Sequence, residues 1–110
     1  MIVSKDLSNE ERLKLVSFIC ESYLKSKKRM GFYDYVNVIR INKNLYEGDK
    51  GMVYLVEHSL AECTETTQMI IKNDFLEKKE TEWYYKYFSR SVYYRLRKEA
   101  VDEFLHHLDI

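Results

Sequence analysis

Trp83-Tyr84-Tyr85-Lys86-Tyr87-Phe88-Ser89-Arg90-Ser91-Val92-Tyr93-Tyr94-Arg95-Leu96-Arg97-Lys98-Glu99-Ala100 carries seven aromatic and five basic side chains in eighteen residues. No acidic residue falls between Lys86 and Lys98. Ser89 suits an N-cap, because its hydroxyl can accept from the free backbone N–H groups of the following turn. A helix starting there places Tyr93, Leu96, Ala100 and Phe104 on one side, at spacings of three and four. Arg90, Ser91, Tyr94, Arg95 and Lys98 are left on other faces. An apolar back that docks to a core and a basic, hydroxyl-bearing front suit a helix laid against a phosphate backbone.

The run from Ser89 to Ala100 resembles the recognition helix of ArpU-type phage transcription regulators, which are in turn similar to the DNA-binding C-terminal region of bacterial sigma factors. The shared pattern is Ser, two or three polar residues, an aromatic, Tyr-Arg, an aliphatic, two basic residues and an Ala four after the aliphatic. Small proteins of low-GC bacteria and their phages look alike here too. The resemblance covers roughly the last third of the chain. It implies a helix-turn-helix-like unit over about residues 64–107 and double-stranded DNA as partner. The first helix of such a unit usually occupies about ten positions with its turn, whereas Trp83 to Phe88 offers six. That first helix is therefore expected to be short, or its turn tight.

Upstream, Ser8-Asn9-Glu10-Glu11 reads as a capping box, with Ser8 and Glu11 bonding each other's backbone amides. Leu13, Val16, Ile19, Cys20, Tyr23 and Leu24 then recur at helical spacing. Lys25-Ser26-Lys27-Lys28-Arg29 complements the negative end of a helix, and Gly31 is read as its stop. Residues 32–45 suit either element. Phe32, Tyr35, Val36, Ile39 and Lys43 fit a helix, while the β-branched Val36, Val38, Ile39 and Ile41 fit a strand. Helix is favoured, since no other segment supplies a partner strand. Tyr46-Glu47-Gly48-Asp49 reads as a loop with Asp49 capping the next helix. Met52, Leu55, Val56, Ser59, Leu60 and Cys63 form an apolar stripe. Thr64 offers a further N-cap, and Met69, Ile70, Asn73, Phe75 and Leu76 extend the pattern to about residue 78, as a second helix or as one long helix with the first. Trp83–Phe88 reads as a short aromatic helix, and Ser89–His107 as the terminal one. The whole, residues 1–110, is expected to be a single all-α domain, a bundle of about five to six helices.

Composition narrows the function classes. Within 110 residues, 18 basic groups balance 18 acidic ones for a formal charge of +0, which argues against a strong nonspecific polyanion binder. The charge is segregated, however: Glu99, Asp102, Glu103 and Asp109 follow the basic run. The absence of Pro and the presence of only three Gly favour long helices. Ten Tyr suit positions with one wet end. Cys20 and Cys63 read as reduced, partly buried thiols of a cytoplasmic protein, the alternative being one bridge. No apolar run reaches the roughly 18 residues of a membrane helix.

Chemistry is sparse. His106 and His107 project about 100° apart on a helix, and His58 is remote. Neither His pairs at i, i+4 nor CxxC spacing appears, so no metal site is expected. Carboxylates are scattered, and there is no Gly-rich phosphate loop or nucleophile elbow. The expectation is a non-enzyme without cofactors. Two classes remain. One is a small DNA-binding transcription regulator using Lys86, Arg90, Ser91, Tyr94, Arg95, Arg97 and Lys98, with Arg and Lys on phosphates and Arg90, Ser91 or Tyr94 near base edges. The other is a protein-interaction module of helix-turn-helix-like fold that binds RNA polymerase or another regulator. Trp83 and Tyr93 are expected in the core. Tyr84, Tyr87 and Phe88 can be core as well, with Lys86, Arg95 and Arg97 paired to Glu82 and Glu99. Zero net charge favours the second class and the basic block the first. A homodimer through the N-terminal helix is the expected route to higher affinity.

Overall fold

Ser8 and Glu11 close the expected capping box: Ser8 N–H donates to Glu11 Oε1 at 2.9 Å, and Glu11 N–H to Ser8 Oγ at 3.1 Å. Helix α1, Asn9–Val36, starts there. The computed structural model describes residues 4–36 and 43–110. The other α-helices are α2, Lys43–Ala61, α3, Glu65–Ile71, and α4, Arg90–His107. A π turn, Lys72–Leu76, extends α3, and 3-10 turns occupy Ser4–Asp6 and Trp83–Lys86. The described residues contain no strand.

Among the described residues four α-helices stand where the sequence predicts five to six, and the difference has three physical sources. First, α1 runs through Gly31 instead of stopping there. A Gly inside a helix costs about 1 kcal/mol against Ala. That cost is offset by Tyr33, one turn beyond Arg29, which is buried and anchored to Asp49 of α2.

Second, Tyr46-Glu47-Gly48-Asp49 is helical rather than a loop, and Asp49 is no cap. It is buried on the side of α2 that meets α1. There it accepts from Ser26 Oγ at 3.0 Å, from Arg29 Nε and Nη2 at 2.8 and 2.7 Å, and from Tyr33 Oη at 3.0 Å. These bonds hold the first turns of α2 against α1 and outweigh the local turn signal. Of the expected helix over 32–45, the start belongs to α1 and the end to α2, and 37–42 lie outside the described residues. Third, the aromatic helix is a single 3-10 turn.

Thr64 caps α3 as expected, its side chain accepting from Thr67 N–H, so α2 and α3 are separate helices. The core gathers Val16 and Cys20 of α1, Val56 and Leu60 of α2, Ile70 and Ile71 of α3, and Ala100, Phe104 and Leu105 of α4. Burying a side chain such as Phe104 or Ile70 contributes about 1.5–3 kcal/mol. A second polar clamp joins α1 to α2, with Glu57 accepting from Tyr23 Oη at 2.6 Å and from Lys27 Nζ at 2.9 Å. Arg12 joins α1 to α4 through Asp102 at 3.1 Å, which sets the first half of α1 beside α4. No described helix is long and apolar enough to cross a membrane.

Candidate nucleic-acid interface

Ser89 Oγ accepts from Val92 N–H at 3.3 Å and starts α4 where the sequence places it. The aromatic turn then folds back onto the helix. The Tyr84 and Tyr93 rings lie parallel with centroids 3.8 Å apart, and Trp83 meets Tyr93 edge-on at 5.9 Å. Such pairs add about 0.5–1.5 kcal/mol beyond their buried area. Asp74 of the π turn secures both elements, accepting from Trp83 Nε1 at 2.7 Å and from the Tyr93 hydroxyl. Burial first, then the Asp74 carboxylate, pushes the Tyr93 phenol above its ordinary range. Tyr93 is core, as expected. Trp83 is only half-buried, and Tyr84 is the buried member of the turn. The bond to Asp74 accounts for the difference, since it keeps the indole edge near the surface.

The seven expected contact residues separate into three groups. Arg90, Tyr94 and Arg97 line a cleft of about 560 Å³ between the start of α4, the aromatic turn and α1. Two guanidinium groups lie over the Tyr94 ring, Arg97 at 4.9 Å and Arg90 at 5.9 Å from its centroid. Ser91, Arg95 and Lys98 are exposed and form an outer row, turned from the cleft by the roughly 100° that separates successive helical residues. Arg95 is 3.5 Å from Glu99, an exposed i,i+4 pair of small energetic value. Lys98 also borders a second cleft of about 400 Å³ that shares Tyr94 and Arg97. Lys86 stands apart on the aromatic turn, beside Tyr85 and Tyr87.

The fold adds residues that the linear reading misses. Lys14 of α1 and Lys79 of the loop after the π turn join Arg90 and Arg97 around the larger cleft, against the carboxylates of Asp74 and Glu82. Four cations thus face two acids. Nothing local in the sequence marks Lys14, because its place depends on α1 lying beside α4. Tyr85 and Tyr94 are exposed at this cleft, giving it flat aromatic walls beside cationic groups.

A different cluster lies at the far end of α4, where Cys63, Glu103 and His107 offer ligand atoms within 4.8 Å of one another. The thiols are not activated as nucleophiles: burial pushes Cys20 up to about 12, and burial with Glu103 and Glu62 pushes Cys63 up to about 11.

No family model matches the chain, and no curated protein or solved structure shows significant similarity to it.

Proposed function

We propose that this chain is a small DNA-binding regulator that uses the N-terminal half of α4. The observation that carries the reading is the acid-free run from Arg90 to Lys98, which exposes Arg90, Ser91, Tyr94, Arg95 and Lys98 and sets two guanidinium groups over the Tyr94 ring beside an aromatic cleft. Arg95 and Lys98 supply the phosphate contacts, and Ser91, in the first turn, lies at the positive end of the helix dipole. Arg90 and Tyr94, nearer the cleft, meet base edges. Trp83–Phe88, expected as the short first helix of a helix-turn-helix-like unit, holds only a 3-10 turn, and in this reading α3 takes that place before α4. Residues 77–89 form a connection longer than the usual turn of about three to four residues.

One observation favours a protein partner instead. Tyr85 and Tyr87 are 65% and 61% exposed on the aromatic turn, and exposed Tyr suits protein interfaces. The two readings separate on a fluorescence titration against random and selected duplexes. Arg95→Ala or Lys98→Ala should weaken binding to every sequence and lower the salt slope by about one. Arg90→Ala or Tyr94→Ala should change sequence preference by about 1–3 kcal/mol. Wild-type binding to no duplex tighter than about 10⁻⁴ M at low salt transfers the assignment to the aromatic turn and a protein partner, and duplex binding indifferent to all four substitutions removes α4 as the DNA-contacting element.

A further inference from the structure

We propose that Cys63, Glu103 and His107 form a site for one thiophilic divalent cation of the Zn²⁺ class, joining the α2–α3 corner to the C-terminal end of α4. The three ligand atoms lie within 4.8 Å of one another. Tetrahedral coordination at ordinary Zn–S, Zn–N and Zn–O lengths separates ligand atoms by about 3.3–3.6 Å, so closure requires shifts on the order of 1 Å.

The surroundings favour coordination over an ordinary ion pair. His107 Nε2 is 3.9 Å from Glu103 Oε2, too far for a hydrogen bond and suitable for two ligands of one metal. The other ring nitrogen, Nδ1, is 3.4 Å from Glu62 Oε2, close enough for that carboxylate to orient the imidazole once a metal is bound. The other oxygen of Glu62, Oε1, is 3.1 Å from His58 Nε2. Glu103 is oriented as well: Thr64 Oγ1 and Thr67 Oγ1 donate to Oε1 at 3.0 and 2.5 Å, and Thr64 N–H to Oε2 at 2.9 Å. Oε2 thus retains a lone pair for a metal. The Cys63 thiol donates to the Ser59 carbonyl at 3.4 Å, which fixes its position at the corner.

Donor chemistry selects the cation. Thiolate and imidazole favour Zn²⁺, Co²⁺ and related ions over Mg²⁺ and Ca²⁺, which prefer oxygen. On binding, the Cys63 S–H bond breaks, an S–metal bond forms and the proton passes to buffer. Water takes the fourth position, since the His107 and Glu103 side chains are about a quarter exposed, 26% and 25%.

Co²⁺ is the probe, added to the full chain with a phosphine reductant present. The expected result is a thiolate-to-cobalt charge-transfer band that saturates at one ion per chain and is bleached by Zn²⁺. Cys63→Ser should abolish the band, His107→Gln should weaken Co²⁺ binding at least tenfold, and Glu62→Gln should weaken it about 10–100-fold. Cys20→Ser should leave the band intact. Circular dichroism checks that each variant is folded, and the partly exposed His107 supplies the decisive variant should Cys63→Ser unfold. Absence of a thiolate band at millimolar Co²⁺ overturns the proposal. So does a band lost in folded Cys20→Ser, or unchanged Co²⁺ affinity in folded His107→Gln.

Discussion

Asp49 gathers four hydrogen bonds from the side chains of Ser26, Arg29 and Tyr33 on α1. Arg29 is the main reason that its carboxyl is held down to about 2, and the hydroxyls of Ser26 and Tyr33 assist. The unfolded chain, with an ordinary value near 3.8, binds the proton more readily than the folded chain. The stabilisation is therefore fully present above that value and is lost as pH falls toward about 2. Arg29 is 45% exposed, and solvent screening brings the contribution to about 1–2 kcal/mol. Urea unfolding of wild type and Asp49→Asn between pH 5 and pH 2 measures it. The two stabilities should converge as pH falls; a constant gap would show that Asp49 does not titrate with folding.

At the scale of elements, the caps at Ser8, Thr64 and Ser89 are legible in the sequence because each is a local event: one side chain meets an amide three residues on. The core faces of α1 and α4 are legible for the same kind of reason, since helical spacing alone brings Val16 near Cys20 and Ala100 near Phe104. The continuation of α1 past Gly31 and the helical state of Gly48-Asp49 are not. They follow from contacts between α1 and α2 across sixteen or more positions, as in Tyr33 with Asp49. The glycines test this account. A Cβ at Gly31 or Gly51 meets nothing within 4 Å, and both positions are helical. Gly31→Ala and Gly51→Ala should each raise stability by about 0.5–1 kcal/mol in thermal unfolding. A loss of stability at either would show a backbone need that the helix does not explain.

For the whole molecule, zero net charge matters less than where the charges lie. The basic half of α4 is legible as a stretch, but its division into cleft, outer row and aromatic turn is not, because each depends on what packs beside the helix. Lys14 and Lys79 enter the cleft only through tertiary structure. The acids that balance the total, Asp102 among them, are partly taken up by pairs such as Arg12–Asp102. On the DNA-binding proposal, the acid-free run of α4 docks a phosphate backbone despite the neutral total, with strong dependence on salt. The direct measurement is a fluorescence titration of the wild-type chain against random duplex DNA at several salt concentrations. Two phosphate contacts, from Arg95 and Lys98, predict a slope of log affinity on log salt of about −1.8 or steeper, and a Kd below about 10⁻⁴ M at low salt. A flat salt dependence, or no binding tighter than about 10⁻⁴ M at low salt, would contradict the DNA-binding account.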